Sequence, residues 1–144
     1  MIVLSLLFRA LRKHFKGQDT FSFMLRMTLR FYPVRIIASI KNETEMDISV
    51  ENKGQEPSWI ETDVILPEEL SLSADKLLKN GRLRLGIVAP GEVKTTRCKI
   101  YANSKTYPGT YKVGVIGYSF NKEGIVVRKE EAKTELRCVK IGEV

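Results

Sequence analysis

Few side chains in this sequence are of the types that do chemistry, and their spacing argues against most of it. His14 is the single histidine, and the two cysteines, Cys98 and Cys138, lie 40 positions apart with no CxxC pair. Zinc needs several ligands at short paired spacings, so these residues argue against a zinc site, and no metal or cofactor is expected. No serine sits in a GxSxG turn and no glycine-rich loop is spaced to cradle a phosphate. The acidic pairs Glu68-Glu69 and Glu130-Glu131 are adjacent, and adjacent residues on a strand point to opposite faces, so neither pair converges as a general acid and base. They read as solvated charges that protect sheet edges. No catalytic residue and no small-molecule substrate are expected, and the chain reads as a non-enzyme.

What remains is charge and apolar surface. The formal net charge of +7 is unevenly placed: residues 1–42 hold eight basic side chains against Asp19 alone, while the other 102 residues carry 16 of each sign. That is a basic arm on a neutral body, and the body has no electrostatic reason to bind nucleic acid. Within the arm, Leu4, Leu7, Phe8, Leu11 and Phe15 recur at spacings of three and four, with Arg9, Arg12, Lys13 and Lys16 on the other side. This predicts an amphipathic helix over 2–16, stopped at Gly17. Arg9, Arg12, Lys13 and Lys16, with Arg26 and Arg30 further on, are the candidate anion-binding residues. Point charges suffice for a weak contact with an RNA backbone or an anionic membrane surface. A solvated helix face explains the same residues, His14 included, and no aromatic-basic motif of an RNA module is present.

From Phe21 the period changes to two. Phe23, Leu25, Met27, Leu29 and Phe31 alternate with Ser22, Met24, Arg26, Thr28 and Arg30 until Pro33, which predicts a strand. Met24 and Met27 stand as alternative starts, and a chain beginning at Met27 would lose the helix and keep every strand from Val34 onward. The apolar run Met1 to Phe8 is too short to span a bilayer, and its charges follow it, the reverse of a secretory signal. A cytoplasmic location is the expectation.

Beyond Pro33 the chain alternates strands with turns. Val34, Ile36, Ala38 and Ile40 keep one face at period two, as do Met46, Ile48 and Val50, and then Ile60, Thr62, Val64 and Leu66. Asn80-Gly81, between Leu77-Leu78 and Leu83-Leu85, is the two-residue hairpin signal of a type I′ turn. Ala89-Pro90-Gly91-Glu92 has Pro and Gly in type II order. Strands follow at about 93–102, 110–120 and 125–140. The turn Tyr107-Pro108-Gly109, its glycine expected in the left-handed region, empties into Tyr111, Val113 and Val115 on one face. So many short strands with no helix between them predict an all-β antiparallel sandwich of about seven strands. Cys98 shares a face with Ile100 and Cys138 with Leu136, as two buried free thiols or as a disulfide between inner faces.

Four of these stretches, Ile48-Ser49-Val50-Glu51-Asn52-Lys53-Gly54, Leu66-Pro67, Ala89-Pro90-Gly91-Glu92 and Gly109-Thr110-Tyr111-Lys112-Val113, together resemble the immunoglobulin-like modules of the cell-adhesion-related type common in archaea and bacteria. The resemblance covers about residues 34–140 and implies an immunoglobulin-like β-sandwich with a binding or spacer role. Tyr111 resembles the corner tyrosine of that fold. The domain reading is a basic N-terminal arm over 1–32, helix then strand, followed by the sandwich over 33–144. Two features depart from antibody-type domains: Val50 and Val113 stand where a disulfide would, and Trp59 shares its face with Glu61, Asp63 and Ile65 and not with the core.

That parity carries the functional reading. Trp59 and Ile65 point outward on one strand, and Ile116, Tyr118 and Phe120 point outward on a strand expected beside it. Together they form the candidate partner-binding patch, for another protein or for a second copy of the chain. Two plainer accounts compete with it. The arm would cover the patch with Phe23, Leu25, Leu29 and Phe31, or a bulge at Gly114 or Gly117 would turn Tyr118 and Phe120 inward.

Overall fold

Alternating burial, one residue in and the next out, runs along the long strands among the described residues and is broken where two of them carry bulges. The computed structural model describes residues 25–142, which form eight strands: β1 (Leu25–Tyr32), β2 (Arg35–Ile37), β3 (Asn42–Asn52), β4 (Ser58–Ile65), β5 (Asn80–Val88), β6 (Val93–Ala102), β7 (Gly109–Phe120) and β8 (Val126–Val139). They make two sheets, β1-β3-β6 and β2-β8-β7-β4-β5. All pairs are antiparallel except β2 with β8, where Arg35, Ile36 and Ile37 run parallel to Arg137, Cys138 and Val139. In the immunoglobulin scheme β1, β3 and β6 stand where strands A, B and E stand, and β4, β7 and β8 stand as C, F and G, with β5 added beside C. The all-β sandwich is thus the observed fold.

The core lies between the sheets. Met46, Ile48 and Val50 enter it from β3, Ile60 and Val64 from β4, Ile100 from β6, and Val113 and Val115 from β7, all fully buried. Burying each such side chain contributes about 1.5–3 kcal/mol. Asn52 is buried among them, and its amide is satisfied: Nδ2 donates to the carbonyls of Glu56 at 2.8 Å and Val88 at 2.9 Å, while Oδ1 accepts from the Gly54 N–H at 2.8 Å. An unpartnered amide there would cost several kcal/mol, about 1–3 by protein measurements.

Residues 25–32 are part of this core. Leu25 is buried, Met27, Leu29 and Phe31 pack against the cluster, and the register runs unbroken from Leu25 opposite Asn52 to Tyr32 opposite Glu45. The strand expected in an N-terminal arm is therefore an edge strand of the smaller sheet. Met27 lies over Gly117, where a Cβ would come within 2.9 Å of its Sδ, so a glycine in mid-strand lets β1 and β7 approach. The helix expected over 2–16, and Phe23 with it, lie outside the described residues.

Two local expectations turn out differently. Asn80-Gly81 makes no hairpin: both belong to β5, opposite Ile65 and Val64. Leu77 and Leu78 are loop residues, tied back by the Leu72 N–H donating to the Leu78 carbonyl at 2.8 Å and by the Ser71 hydroxyl accepting from the Leu78 N–H at 3.0 Å. Gly81 serves close packing instead, since a Cβ there would meet Leu72 Cδ1 at 2.8 Å. Gly109 has a φ of 154°, far from the left-handed helical value of about +57°, because it is already the first paired residue of β7, opposite Cys138. Cys98 and Cys138 are free thiols in different sheets, and burial pushes both up, Cys98 to about 11.

The Pro-Gly turn at 89–92 follows expectation, with Gly91 at φ 79° and the Glu92 N–H donating to the Ala89 carbonyl at 2.9 Å. So does the tyrosine corner. Tyr111 Oη donates to the carbonyl of Tyr107, four residues upstream, at 2.6 Å, and pins the turn to the start of β7.

Removing that bond with Tyr111→Phe is expected to destabilise the fold by about 1 kcal/mol, read as a lower urea midpoint with an unchanged slope. Both thiols are expected to stay protonated at neutral pH and to react with iodoacetamide far more slowly in the native protein than after denaturation. Rapid alkylation of Cys138 in the native protein would contradict its burial.

Candidate functional site

The outer face of the larger sheet is laid out in cross-strand rows. At one end Ile87, Trp59, Phe120 and Val126 stand opposite one another in register across β5, β4, β7 and β8. Ile87 is 58% exposed, Trp59 41% and Val126 45%, with Phe120 half-buried between them. The next row is Arg84, Glu61, Tyr118 and Lys129, and the one after it Arg82, Asp63, Ile116 and Glu131. Ile65 stands a further row along, between Asn80 and Gly114.

The two middle rows are bound together by Arg82. Its Nε and Nη2 reach both oxygens of Asp63, at 2.6 and 2.9 Å, and Nη1 reaches Glu61 Oε1 at 3.1 Å. The guanidinium carbon lies 4.9 Å from the centre of the Tyr118 ring, in cation–π geometry. Glu61 Oε2 also accepts from Trp59 Nε1 at 2.8 Å and lies 3.5 Å from Arg84 Nε. The Trp59 N–H and then Arg82 hold the Glu61 carboxyl below its ordinary value, and hydrogen bonds from Arg82 do the same for Asp63. The reciprocal bonds raise Arg82.

Of the five residues expected in a partner-binding patch, Trp59 and Phe120 therefore share one apolar row. Tyr118 lies under Arg82, Ile116 is half-buried between Asp63 and Glu131, and Ile65 stands apart at 41% exposure. Ile87 and Val126 complete the row and are not apparent from alternation. Ile60 pairs with Gly86 and Glu61 with Arg84, so Leu85 is the extra residue of a bulge, and the parity of β5 changes there. A second irregularity, between Ser119 and Phe120, does the same for β8. Both bulges fall between the apolar row and the charged rows. No irregularity occurs at Gly114 or Gly117, so Tyr118 and Phe120 stay outward. Nor do Leu25, Leu29 and Phe31 cover this face, because they pack between the sheets.

Ile87, Trp59 and Phe120 of the row form the floor of an open groove of about 1220 Å³, walled by Pro57, Ser58 and the Asn121–Gly124 turn, with Glu56, Glu61, Glu123 and Lys122 around it. Asn121 Oδ1 fixes that turn by accepting from the N–H groups of Glu123 at 2.9 Å and Ile125 at 3.0 Å. Ser58 and Ser119 hydrogen-bond to each other beside it. Among the described residues no group of three or more His, Cys, Asp or Glu is placed to hold a metal ion. The groove's resources are apolar contact and negative charge.

Arg9, Arg12, Lys13 and Lys16 lie outside the described residues. Arg26 and Arg30 sit on the outer face of the smaller sheet, the first 3.8 Å from Glu51 and the second opposite Asp47. Arg97–Asp47 at 2.8 Å and Lys99–Glu43 at 3.1 Å continue that ladder of opposite charges. A carboxylate beside each of Arg26 and Arg30 competes with any anion they would bind.

No protein-family model and no curated protein matches this sequence. Solved structures do match. The Escherichia coli α-2-macroglobulin, in a structure running from domain MG7 to the C-terminus, superposes with a TM-score of 0.57 at 14% identity, covering 79% of this chain and 16% of that one. In the native conformation of the same macroglobulin the TM-score is 0.54, and the match covers 80% of this chain and 6% of that one. A chain of the complex between zinc α2-glycoprotein and prolactin inducible protein from human seminal plasma matches with a TM-score of 0.52 at 11% identity, over 86% of this chain and 99% of that one. This chain thus spans a small part of the macroglobulin chains. At these identities the likeness shows the fold alone, and with the strand order and the tyrosine corner it supports an immunoglobulin-like sandwich.

Replacing Arg82 tests the charged rows. Glu61 and Asp63 are held below their ordinary values, so their bonds to Arg82 contribute stability above those values and lose it as pH falls through the lowered ones. Arg82→Met is expected to lower stability at neutral pH by no more than about 1 kcal/mol, as for exposed ion pairs. The gap from the unsubstituted protein should close in acid and narrow at high salt, measured by urea midpoints. A gap independent of pH would show that packing on Tyr118, and not charge, is what Arg82 supplies.

Proposed function

We propose that this chain is a non-enzymatic protein-interaction module that takes its partner on the apolar row of the larger sheet. The observation that carries the reading is the row itself. Four neighbouring strands each present an apolar side chain in register, beside two rows in which charged side chains predominate. Contiguous apolar surface at the mouth of a groove marks a contact site more often than a solvated one. Trp59 is the natural anchor, a large ring whose N–H is already satisfied by Glu61 and whose apolar body is available. Glu56, Glu61 and Glu123 supply the polar rim of such a contact and favour a partner carrying positive charge. In this reading Tyr118 supports Trp59 through the Arg82 network, and Ile65 and Ile116 lie beyond the contact.

The test is the double substitution Trp59→Ser with Phe120→Ser, both on the outer face, where the core is undisturbed. Partner recovery from the native source, and oligomer size by sedimentation, are compared with the unsubstituted chain and with Ile65→Ser as a control. Truncating one anchor of a contact costs about 2 kcal/mol, roughly thirtyfold in Kd. Loss of the partner or of an oligomer in the double variant, with Ile65→Ser unaffected, is the expected result. Unchanged oligomer size together with unchanged partner recovery would reject the reading.

A further inference from the structure

We propose that the groove beside Trp59 seats an arginine of the partner chain, its guanidinium laid on the Trp59 and Phe120 rings and its N–H groups turned to the carboxylates of Glu56 and Glu123. The inference rests on the reading of the row as a contact surface and adds which side chain of the partner that surface selects.

The first support is a construction that the same face already contains. One row along, Arg82 lies 4.9 Å from the centre of the Tyr118 ring while Nε and Nη2 reach Asp63 and Nη1 reaches Glu61. An aromatic face flanked by carboxylates holds a guanidinium there, because the planar cation stacks and donates sideways at once. The groove repeats those parts. Phe120 stands opposite Trp59 in register, its ring 6.5 Å from that of Tyr118, and Glu56 and Glu123 line the same space. No arginine is among the described residues that line it, since Arg82 and Arg84 are drawn to Asp63 and Glu61 in the charged rows.

Trp59 is the stronger of the two rings for this purpose. Tryptophan attracts cations better than tyrosine or phenylalanine does, and its Nε1–H, donating to Glu61 at 2.8 Å, pushes further electron density into the ring.

The carboxylates are available and held in place. Among the described residues no ion pair engages Glu56 or Glu123, whereas Glu61 is occupied by Arg82, Arg84 and Trp59. The Glu56 carbonyl accepts from the buried Asn52 amide at 2.8 Å, and the Glu123 N–H donates to Asn121 Oδ1 at 2.9 Å, so both backbones are fixed before a partner arrives. Two such carboxylates against Lys122 alone favour a cation and disfavour a neutral segment that would leave them unpaired. A lysine meets the charge but not the plane: on this face Lys129 Nζ stays 6.0 Å from the Tyr118 ring, where Arg82 comes to 4.9 Å.

Trp59 is the one tryptophan of the chain, so its fluorescence and its indole N–H resonance both report on the seat. The probes are three blocked tripeptides with glycine on either side of arginine, lysine or citrulline, titrated into the full-length protein at low salt. Citrulline keeps the plane and loses the charge, and lysine does the reverse. We expect the arginine peptide to bind saturably, severalfold more tightly than the other two, and to weaken as salt is raised. Glu56→Gln/Glu123→Gln, which alters exposed side chains only, should bring the arginine peptide down to the level of the citrulline peptide with the β-sheet circular dichroism unchanged. Equal affinity for arginine and citrulline overturns the proposal, and so does an arginine peptide that leaves both Trp59 signals unmoved. Lysine bound as tightly as arginine, or arginine bound as tightly by the double glutamine variant, overturns it as well. The two readings fail separately. If the arginine peptide is not selected while Trp59→Ser/Phe120→Ser still loses the partner, the arginine seat is wrong and the contact surface stands. If the arginine peptide is selected but the double serine variant keeps its partner, the contact reading falls and the seat for a guanidinium stands.

Discussion

The structure depends on β7 being hydrogen-bonded on both sides. From Gly114 to Phe120 its residues pair with β4 on one flank and β8 on the other. A strand held this way has no freedom to rotate, so its side chains divide strictly between two faces. Val113, Val115, Gly117 and Ser119 go inward, and Ile116, Tyr118 and Phe120 go outward. A slip of one residue would exchange the two sets, put Met27 against a bulky side chain in place of Gly117, and dissolve the outer rows. The Tyr111 bond to the Tyr107 carbonyl fixes the register at the start of the strand, before any of those choices is made.

The same strand shows how much of the protein was legible in its sequence. Strict alternation on β3, β4 and β7, the Pro-Gly turn at 89–92 and the corner tyrosine are local signals, and local geometry honours them. So is the outward parity of Trp59, which follows from its distance along the strand to Ile60, Thr62 and Val64. What was not legible depends on pairing between distant segments. Asn80-Gly81 carries the chemistry of a tight turn, yet its surroundings are Ile65, Val64 and Leu72, and a glycine that admits a leucine looks the same in sequence as one that reverses the chain. Ile87 belongs to the apolar row only because a bulge changes the parity of β5 after Arg84, and nothing in a run of alternating residues announces an extra one. Arg82 reads as one more surface cation until β5 is known to lie beside β4.

The two outer faces also differ in kind. On the smaller sheet opposite charges face each other from strand to strand, Arg26 with Glu51, Arg97 with Asp47 and Lys99 with Glu43, and water completes the surface. On the larger sheet charge is gathered around Arg82 in the middle, and one apolar row is left at the end. Two bulges stand at the border between them. Bulges are places where a sheet re-aims its side chains, and here they set a band of ionic contacts apart from a band of dry ones within a few residues of strand.

The short strand β2 has a consequence of another sort. The chain leaves the smaller sheet after Tyr32 and lays Arg35, Ile36 and Ile37 parallel to Arg137, Cys138 and Val139 near the other end of the described chain. Tension applied between Arg35 and Val139 would pull these parallel neighbours in opposite directions along their length. Hydrogen bonds in that geometry are loaded together, in shear, whereas an antiparallel pair drawn apart from one end opens bond by bond. The three-residue contact, reinforced by the Ala38 N–H donating to the Val139 carbonyl at 2.8 Å, thus ties the start of the larger sheet to its last strand in the geometry that resists sliding.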